Sequence, residues 1–218
     1  MKKLAPLIGF AFMIGIAYLM VRRVDVNGWG SFGWFATALG IMIIRQPYAN
    51  QIKGNSIDDK RETGIERLLL ILVAVGGSYF PVIHLAFGIV DFANYSLPVW
   101  APIIGVIILA AGLYLFWRSH ADLGKNWSVT TELRDDHTLT TGGVYTHIRH
   151  PMYSALFLIF AIQPLFIHNW LAGFSGVVGF AILYLFRVSY EETMMRDRFG
   201  AEYDDYVSKT GRILPKLG

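Results

Sequence analysis

The chain contains no cysteine. Disulfides, thiolate nucleophiles and cysteine-ligated metals are thereby excluded. Charge is also scarce: Asp, Glu, Lys and Arg make up 16% of the 218 residues, against 54% hydrophobic residues, and the mean hydropathy is +0.44. A soluble domain of this size could not hide so much apolar side chain, so the composition is that of an integral membrane protein. No HExxH or other metal-binding pair of histidines occurs, and no glycine-rich nucleotide loop follows a strand. Neither a metal site nor the soluble nucleotide-binding fold is expected. The sequence pI of about 9.1 does not signal nucleic-acid binding, because no basic stripe alternates with aromatic residues in a soluble region.

What is present is hydrophobic length. Apolar runs near residues 4–21, 29–44, 68–90, 97–117, 152–167 and 170–186 each approach the roughly 17–25 residues of a helical span. They predict an all-α polytopic membrane protein of about six transmembrane helices, the second and fifth short enough to be tilted or partly re-entrant. Arg22 and Arg23 follow the first run where a signal peptide would carry a small-residue cleavage site, so this run is expected to stay as a span. With the N-terminus inside, seventeen of the nineteen Lys and Arg residues fall on the cytoplasmic side and only Arg22 and Arg23 outside, as the positive-inside rule requires. Both termini and the segment from Arg118 to Arg149 are then cytoplasmic. The expected organisation is a four-span scaffold, residues 1–117, and a core, residues 118–218, made of the cytoplasmic segment, a helical hairpin and a C-terminal tail, all in one integrated domain. Gly76-Gly77-Ser78 and Pro81 should bend the third span. His84 in the same span is either functional or bonded to a neighbouring helix. The charged stretch from Gln46 to Glu66 reads as a solvated loop without chemistry.

Polar chemistry is concentrated between His137 and Tyr153, HTLTTGGVYTHIRHPMY. Gly142-Gly143 allows a tight turn, Pro151 can open a helix, and the proline pushes His150 toward extended backbone. The very short turn at His168-Asn169 makes the fifth and sixth spans an antiparallel hairpin, and Ala172, Ser175, Gly176 and Gly179 permit close helix approach in lipid. The sixth helix should run past Arg187 through VSYEETMMRDRF to a cap at Gly200. Tyr203, Tyr206 and Val207 then share one face of a final short helix. Arg187 and Glu191 are four apart and lie on one face, which by itself fits an ordinary surface pair as well as a site. The hairpin, however, returns them beside the start of the fifth span. Arg149, His150, Tyr153, Arg187 and Glu191 then share one neighbourhood, over which His137 and Tyr145 can fold. Tyr145 and Tyr153 offer aromatic faces suited to adenine or a sulfonium, and the free N–H groups behind Pro151 suit an anionic group.

Taken together, HTLTTGGVYTHIRHPMY, Arg187, Glu191-Glu192 and FGAEYDDYVSKTGRILP resemble the isoprenylcysteine carboxyl methyltransferase family of membrane methyltransferases, over roughly residues 125–215. The resemblance implies S-adenosylmethionine as cofactor, contacted by His137, Thr138, Leu139, Thr140, Tyr145, His150, Pro151, Met152, Tyr153 and Glu191. It also implies that Arg187 holds the substrate carboxylate, which makes Arg187 and Glu191 the catalytic pair. The implied reaction is methyl transfer to a lipophilic acceptor in the membrane, foremost the carboxylate of a prenylated cysteine or a similar group. Phospholipid N-methylation would use the same cofactor. Sterol reductases, which use NADPH, share an Arg-His-Pro-x-Tyr signature but follow the tyrosine with Gly-Glu, where this chain has Ser154-Ala155. A non-enzymatic membrane subunit would not need so complete a polar set.

Overall fold

The computed structural model describes residues 5–51, 57–61, 63–128, 132–134 and 138–216. Helix α1 (Ala5–Arg22) and the single turn α2 (Val24–Asn27) lead into α3 (Gly30–Gln51). Strand β1 (Ile57–Lys60) precedes α4 (Gly64–Ala74), which passes through a π-helical stretch, Val75–Tyr79, into α5 (Phe80–Phe87). There follow α6 (Ala101–Leu123), β2 (Glu132–Arg134), α7 (Pro151–Ala161), α8 (Gln163–Phe166), α9 (Trp170–Phe199) and α10 (Ala201–Lys209). Among the described residues, Gly64–Phe87, Ala101–Asn126 and Trp170–Phe199 are long and apolar enough to cross a membrane, and Pro151–Phe166 is a shorter apolar helix. Leu68, Ile107 and Leu185 lie mid-helix and are 66–72% exposed, as side chains solvated by lipid would be. The chain is a helical integral membrane protein. Among the described residues the helices are accompanied by one short antiparallel ribbon, in which Ile57 pairs with Arg134 and Lys60 with Glu132.

The core interleaves the two halves of the sequence: Met20, Trp34 and Leu85 pack in one cluster with Phe116, Ile159 and Phe166. The irregularity expected at Gly76-Gly77 takes the form of the π-helical stretch, and its backbone is where three helices meet. The Gly76 carbonyl accepts from Ser175 Oγ on α9 at 2.6 Å and from Gln163 Nε2 on α8 at 3.4 Å, and the Gly77 carbonyl from Trp34 Nε1 on α3 at 3.4 Å. A π turn disturbs the regular carbonyl ladder, and in lipid each loosened carbonyl needs a donor from a neighbour. A Cβ on Gly76 would stand 2.6 Å from the Ser175 carbonyl oxygen, so this crossing requires glycine.

At the end of the molecule holding the 167–169 turn, Asn169 is fully buried. Its Oδ1 accepts from the Leu171 and Ala172 N–H groups, which caps α9, while its Nδ2 donates to the Val90 carbonyl at 2.7 Å and to Asn94 Oδ1 at 2.8 Å. Arg23 grips both oxygens of Asp91 at 2.6 and 2.8 Å. His84, 2% exposed, lies here with Nδ1 3.9 Å from Asp91, away from the cavity described below.

The stretch from Gln46 to Glu66 differs from its reading as a solvated loop. α3 continues through Pro47 to Gln51, and Thr63 caps α4 by accepting from the Glu66 N–H. The sequence signal for that cap is Thr-x-x-Glu, a capping box. The cap fixes Glu66 in the first turn, where it is 2% exposed and faces the site.

Candidate active site

Residues 138–150 form a loop fastened on three sides. Asn126, 8% exposed, donates to the Thr138 carbonyl at 3.0 Å and reaches the Thr140 hydroxyl at 3.2 Å. Asp122, held by Arg118 at 2.6 Å, accepts from the Val144 N–H at 2.9 Å. Gly143 has φ +61°, and a Cβ there would collide with the Asp122 carboxylate, so both the turn and the close approach call for glycine. On the third side the chain beyond α10 adds backbone to the loop. Arg149 N–H donates to the Gly211 carbonyl at 2.8 Å, His150 N–H to the Arg212 carbonyl at 2.9 Å, and Gly211 N–H to the His147 carbonyl at 3.1 Å. Ile148 and Gly211 thus form a parallel bridge.

The two glutamates on α9 divide the work. Glu192, 3% exposed, holds the tail: Arg212 meets both its oxygens, at 3.0 and 2.6 Å, and Arg149 meets Oε1 at 3.3 Å. The hydrogen bond to Glu192 holds the Arg212 guanidinium above its ordinary pKa. Glu191 instead meets Arg187 Nε at 2.6 Å, and Glu66 Oε1 lies 3.4 Å from the same nitrogen. His150 bridges the two glutamates, with Nδ1 3.6 Å from Glu191 and Nε2 3.5 Å from Glu192, and stacks on Tyr153 at 5.4 Å between ring centroids. Tyr206 on α10 donates to the Tyr145 carbonyl at 2.6 Å. Burial pushes the Tyr206 hydroxyl up to about 12, which keeps it a neutral donor. Burial, followed by the neighbouring Tyr206, Asp122 and Glu191, also raises the Tyr145 hydroxyl.

These side chains line one continuous cavity of about 510 Å³. Its head is polar, walled by Thr140, Tyr145, His150, Arg187 and Glu191; its other arm runs between the helices along Trp34, Ile41, Val73, Phe160 and Phe180. Of the residues expected from sequence, Leu139, Thr140, Tyr145, His150, Met152, Tyr153, Arg187 and Glu191 are on the wall. Thr138 stands beside it as an acceptor for Asn126, Pro151 is the first residue of α7, and His137 lies outside the described residues. Residues not anticipated from sequence also meet the site. Arg45, Asn126 and Trp127 are on the cavity wall, and Glu66 contacts Arg187. Trp127 is 1% exposed, and among the described residues its Nε1 has no hydrogen-bond partner.

Fold and site together define a helical membrane protein with a cavity walled by polar side chains at its head and by apolar ones between the helices. A profile of the isoprenylcysteine carboxyl methyltransferase (ICMT) family matches residues 87–197, and the chain belongs to that family. It is 24% identical to the protein-S-isoprenylcysteine O-methyltransferase of Xenopus laevis, over 97% of this chain and 72% of that one. With the human enzyme of the same name it shares 22% identity, over 97% and 72%. A probable protein-S-isoprenylcysteine O-methyltransferase of Oryza sativa subsp. indica is 32% identical, over 51% of this chain and 60% of the rice protein. The fold resembles the solved structure of the eukaryotic intramembrane Ras methyltransferase ICMT, with a TM-score of 0.58 at 22% identity, over 94% of this chain and 74% of that one. This protein is therefore a membrane methyltransferase.

Proposed function

We propose that the protein transfers a methyl group from S-adenosylmethionine to the carboxylate of a lipophilic acceptor, a prenylated cysteine or a close relative. The observation that carries this reading is the single cavity joining a polar head to an apolar arm. A charged donor and a hydrocarbon-tailed acceptor could meet there without either leaving its preferred surroundings. S-adenosylmethionine supplies an electrophilic methyl on a sulfonium. The residues of the head fit it: Tyr145, His150 and Tyr153 give aromatic faces, Glu191 gives an acceptor for its polar hydrogens, and the buried Trp127 N–H is a donor with no partner among the described residues. We assign donor binding to these residues together with His137, Leu139, Thr140 and Met152. Asn126, the Thr138 backbone and Pro151 shape the loop that carries them.

The acceptor carboxylate needs no base, since it is already ionised. Its oxygen forms a bond to the methyl carbon as the carbon–sulfur bond breaks, the electron pair leaves with sulfur, and no proton moves. Catalysis of such an in-line displacement rests on positioning. We assign that task to Arg187, whose own orientation is fixed by Glu191 and Glu66 and which is suited to a carboxylate. The seventeen-to-two distribution of basic residues supports six spans with both termini and the head of the cavity on the cytoplasmic side. The mixed make-up of the cavity wall supports treating residues 1–117 and 118–218 as one integrated unit.

The test is purified protein with methyl-labelled S-adenosylmethionine and a membrane extract. The expected product is a lipid-phase species whose label is released by mild base, as an ester requires. A base-stable label would mean an amine acceptor. Tight NADPH binding with no response to S-adenosylhomocysteine would overturn the reading.

A further inference from the structure

Three arginines line the cavity: Arg45, Arg149 and Arg187. Two are committed to carboxylates of the chain itself, Arg149 to Glu192 at 3.3 Å and Arg187 to Glu191 at 2.6 Å and Glu66 at 3.4 Å. Arg45, near the end of α3, differs. Among the described residues it has no carboxylate partner, and its guanidinium lies over the Trp127 ring, 5.2 Å from the centroid. That ring is itself fixed, 1% exposed and 4.9 Å from the ring of the fully buried His120. Arg45 is therefore an oriented cation on the wall of the same mostly apolar cavity that Arg187 lines. A guanidinium in such surroundings is costly without an anion to meet it.

The pairing of charges says which ligand would meet it. Arg187 already answers Glu191 at 2.6 Å and Glu66 at 3.4 Å, so an anionic acceptor approaching Arg187 alone would meet a guanidinium largely spent on the chain's own carboxylates. Arg45, with no carboxylate partner among the described residues, supplies the uncommitted positive charge on the same wall. We infer that Arg45 is an acceptor-binding residue, whose guanidinium, braced on Trp127, takes the acceptor's carboxylate jointly with Arg187 as the hydrocarbon tail lies in the apolar arm. This deepens the proposed function and rests on it.

The experiment uses the full chain in bilayer nanodiscs with two probes, an N-acetylated S-prenylcysteine and the same molecule with its carboxyl group converted to a primary amide. Arg45→Met and Arg45→Gln should bind S-adenosylhomocysteine with native affinity by calorimetry, which also reports that the site is folded. The KM for the carboxylate probe should rise by roughly tenfold or more, the size expected when one partner of a desolvated charged pair is removed, with a much smaller change in kcat. Inhibition by the amide should stay at its native level, because the amide never used the charge, and Arg45→Lys should recover part of the loss. An unchanged KM in Arg45→Met, or equal losses for the carboxylate and amide probes, overturns the role of Arg45 and leaves the proposed function standing. Native protein that binds S-adenosylhomocysteine yet methylates no carboxylate probe defeats the carboxylate reading itself, and Arg45's role with it.

Discussion

Glu191 and Glu192 are adjacent in sequence and look interchangeable, yet their surroundings predict opposite failures when each is replaced. Removing Glu192 leaves Arg149, whose side chain is only 9% exposed, facing no carboxylate. Breaking a buried pair in this way costs about 3–5 kcal/mol, so Glu192→Ala should lower the thermal midpoint markedly and loosen the tail. Glu191→Ala should not, because Arg187 keeps Glu66 as its counter-charge; its expected effect is weaker S-adenosylhomocysteine binding at near-native stability. Calorimetry and thermal melts on the two variants check both outcomes, and a pair of variants that lose stability alike would remove the distinction. The grouping of Arg187, Glu191, His150 and Tyr153 was legible in the sequence, because one short hairpin forces them together. Glu66 and Arg45 were not. They reach the site from helices whose facing is set by long-range packing, and a polar stretch beside a span reads as a loop unless its cap, Thr63 to Glu66, is recognised.

Among the elements, the crossing of the π-helical stretch over α9 is the most constrained. Gly76→Ala places a methyl 2.6 Å from a backbone oxygen of α9, where no flexible side chain can yield. Forced overpacking of this kind costs about 1–3 kcal/mol, and here it would also strain the Gly76 carbonyl bonds to Ser175 and Gln163. The variant should therefore melt lower than native, whereas Gly64→Ala, which meets nothing within 4 Å and leads a helix, should be neutral. Equal melting of the two would mean that the helices separate without cost. The small residues at this crossing were visible in sequence as a pattern on α9. The pattern could not name its partner, because glycines on two helices become a contact only once the connections have set their register. The ribbon of β1 and β2 had no sequence signal strong enough to compete with the charge pattern around it.

For the whole molecule, the absence of native cysteine makes orientation directly measurable with single introduced thiols. A thiol at Ser96, beyond the Asp91–Ala93 turn, should react with a membrane-impermeant reagent added outside intact cells, and one at Glu202 on α10 should react only after permeabilisation. The reverse pattern would put the cavity head in the other compartment. The helical, membrane-embedded character followed from composition alone, since apolar length is a local property. How the helices line a cavity did not, because the outward and inward faces of a lipid-bathed helix are both apolar and periodicity separates them poorly.

The bridge from Ile148 to Gly211 also sets an order of events during biosynthesis. The ribosome delivers the 147–150 loop first, and the backbone that pairs with it is made only after α9 and α10 have been produced. In the interval α7 and α9 can already pack in the bilayer, while the Arg149 and His150 N–H groups wait for their carbonyls and Glu192 waits for Arg212. Closure of the cavity head is thus one of the last steps of synthesis, and a chain stalled or clipped before Gly211 is a membrane bundle with an unfinished mouth. Truncation before Gly211 should therefore weaken S-adenosylhomocysteine binding while membrane insertion stays at its native level, an outcome that calorimetry on the inserted protein checks.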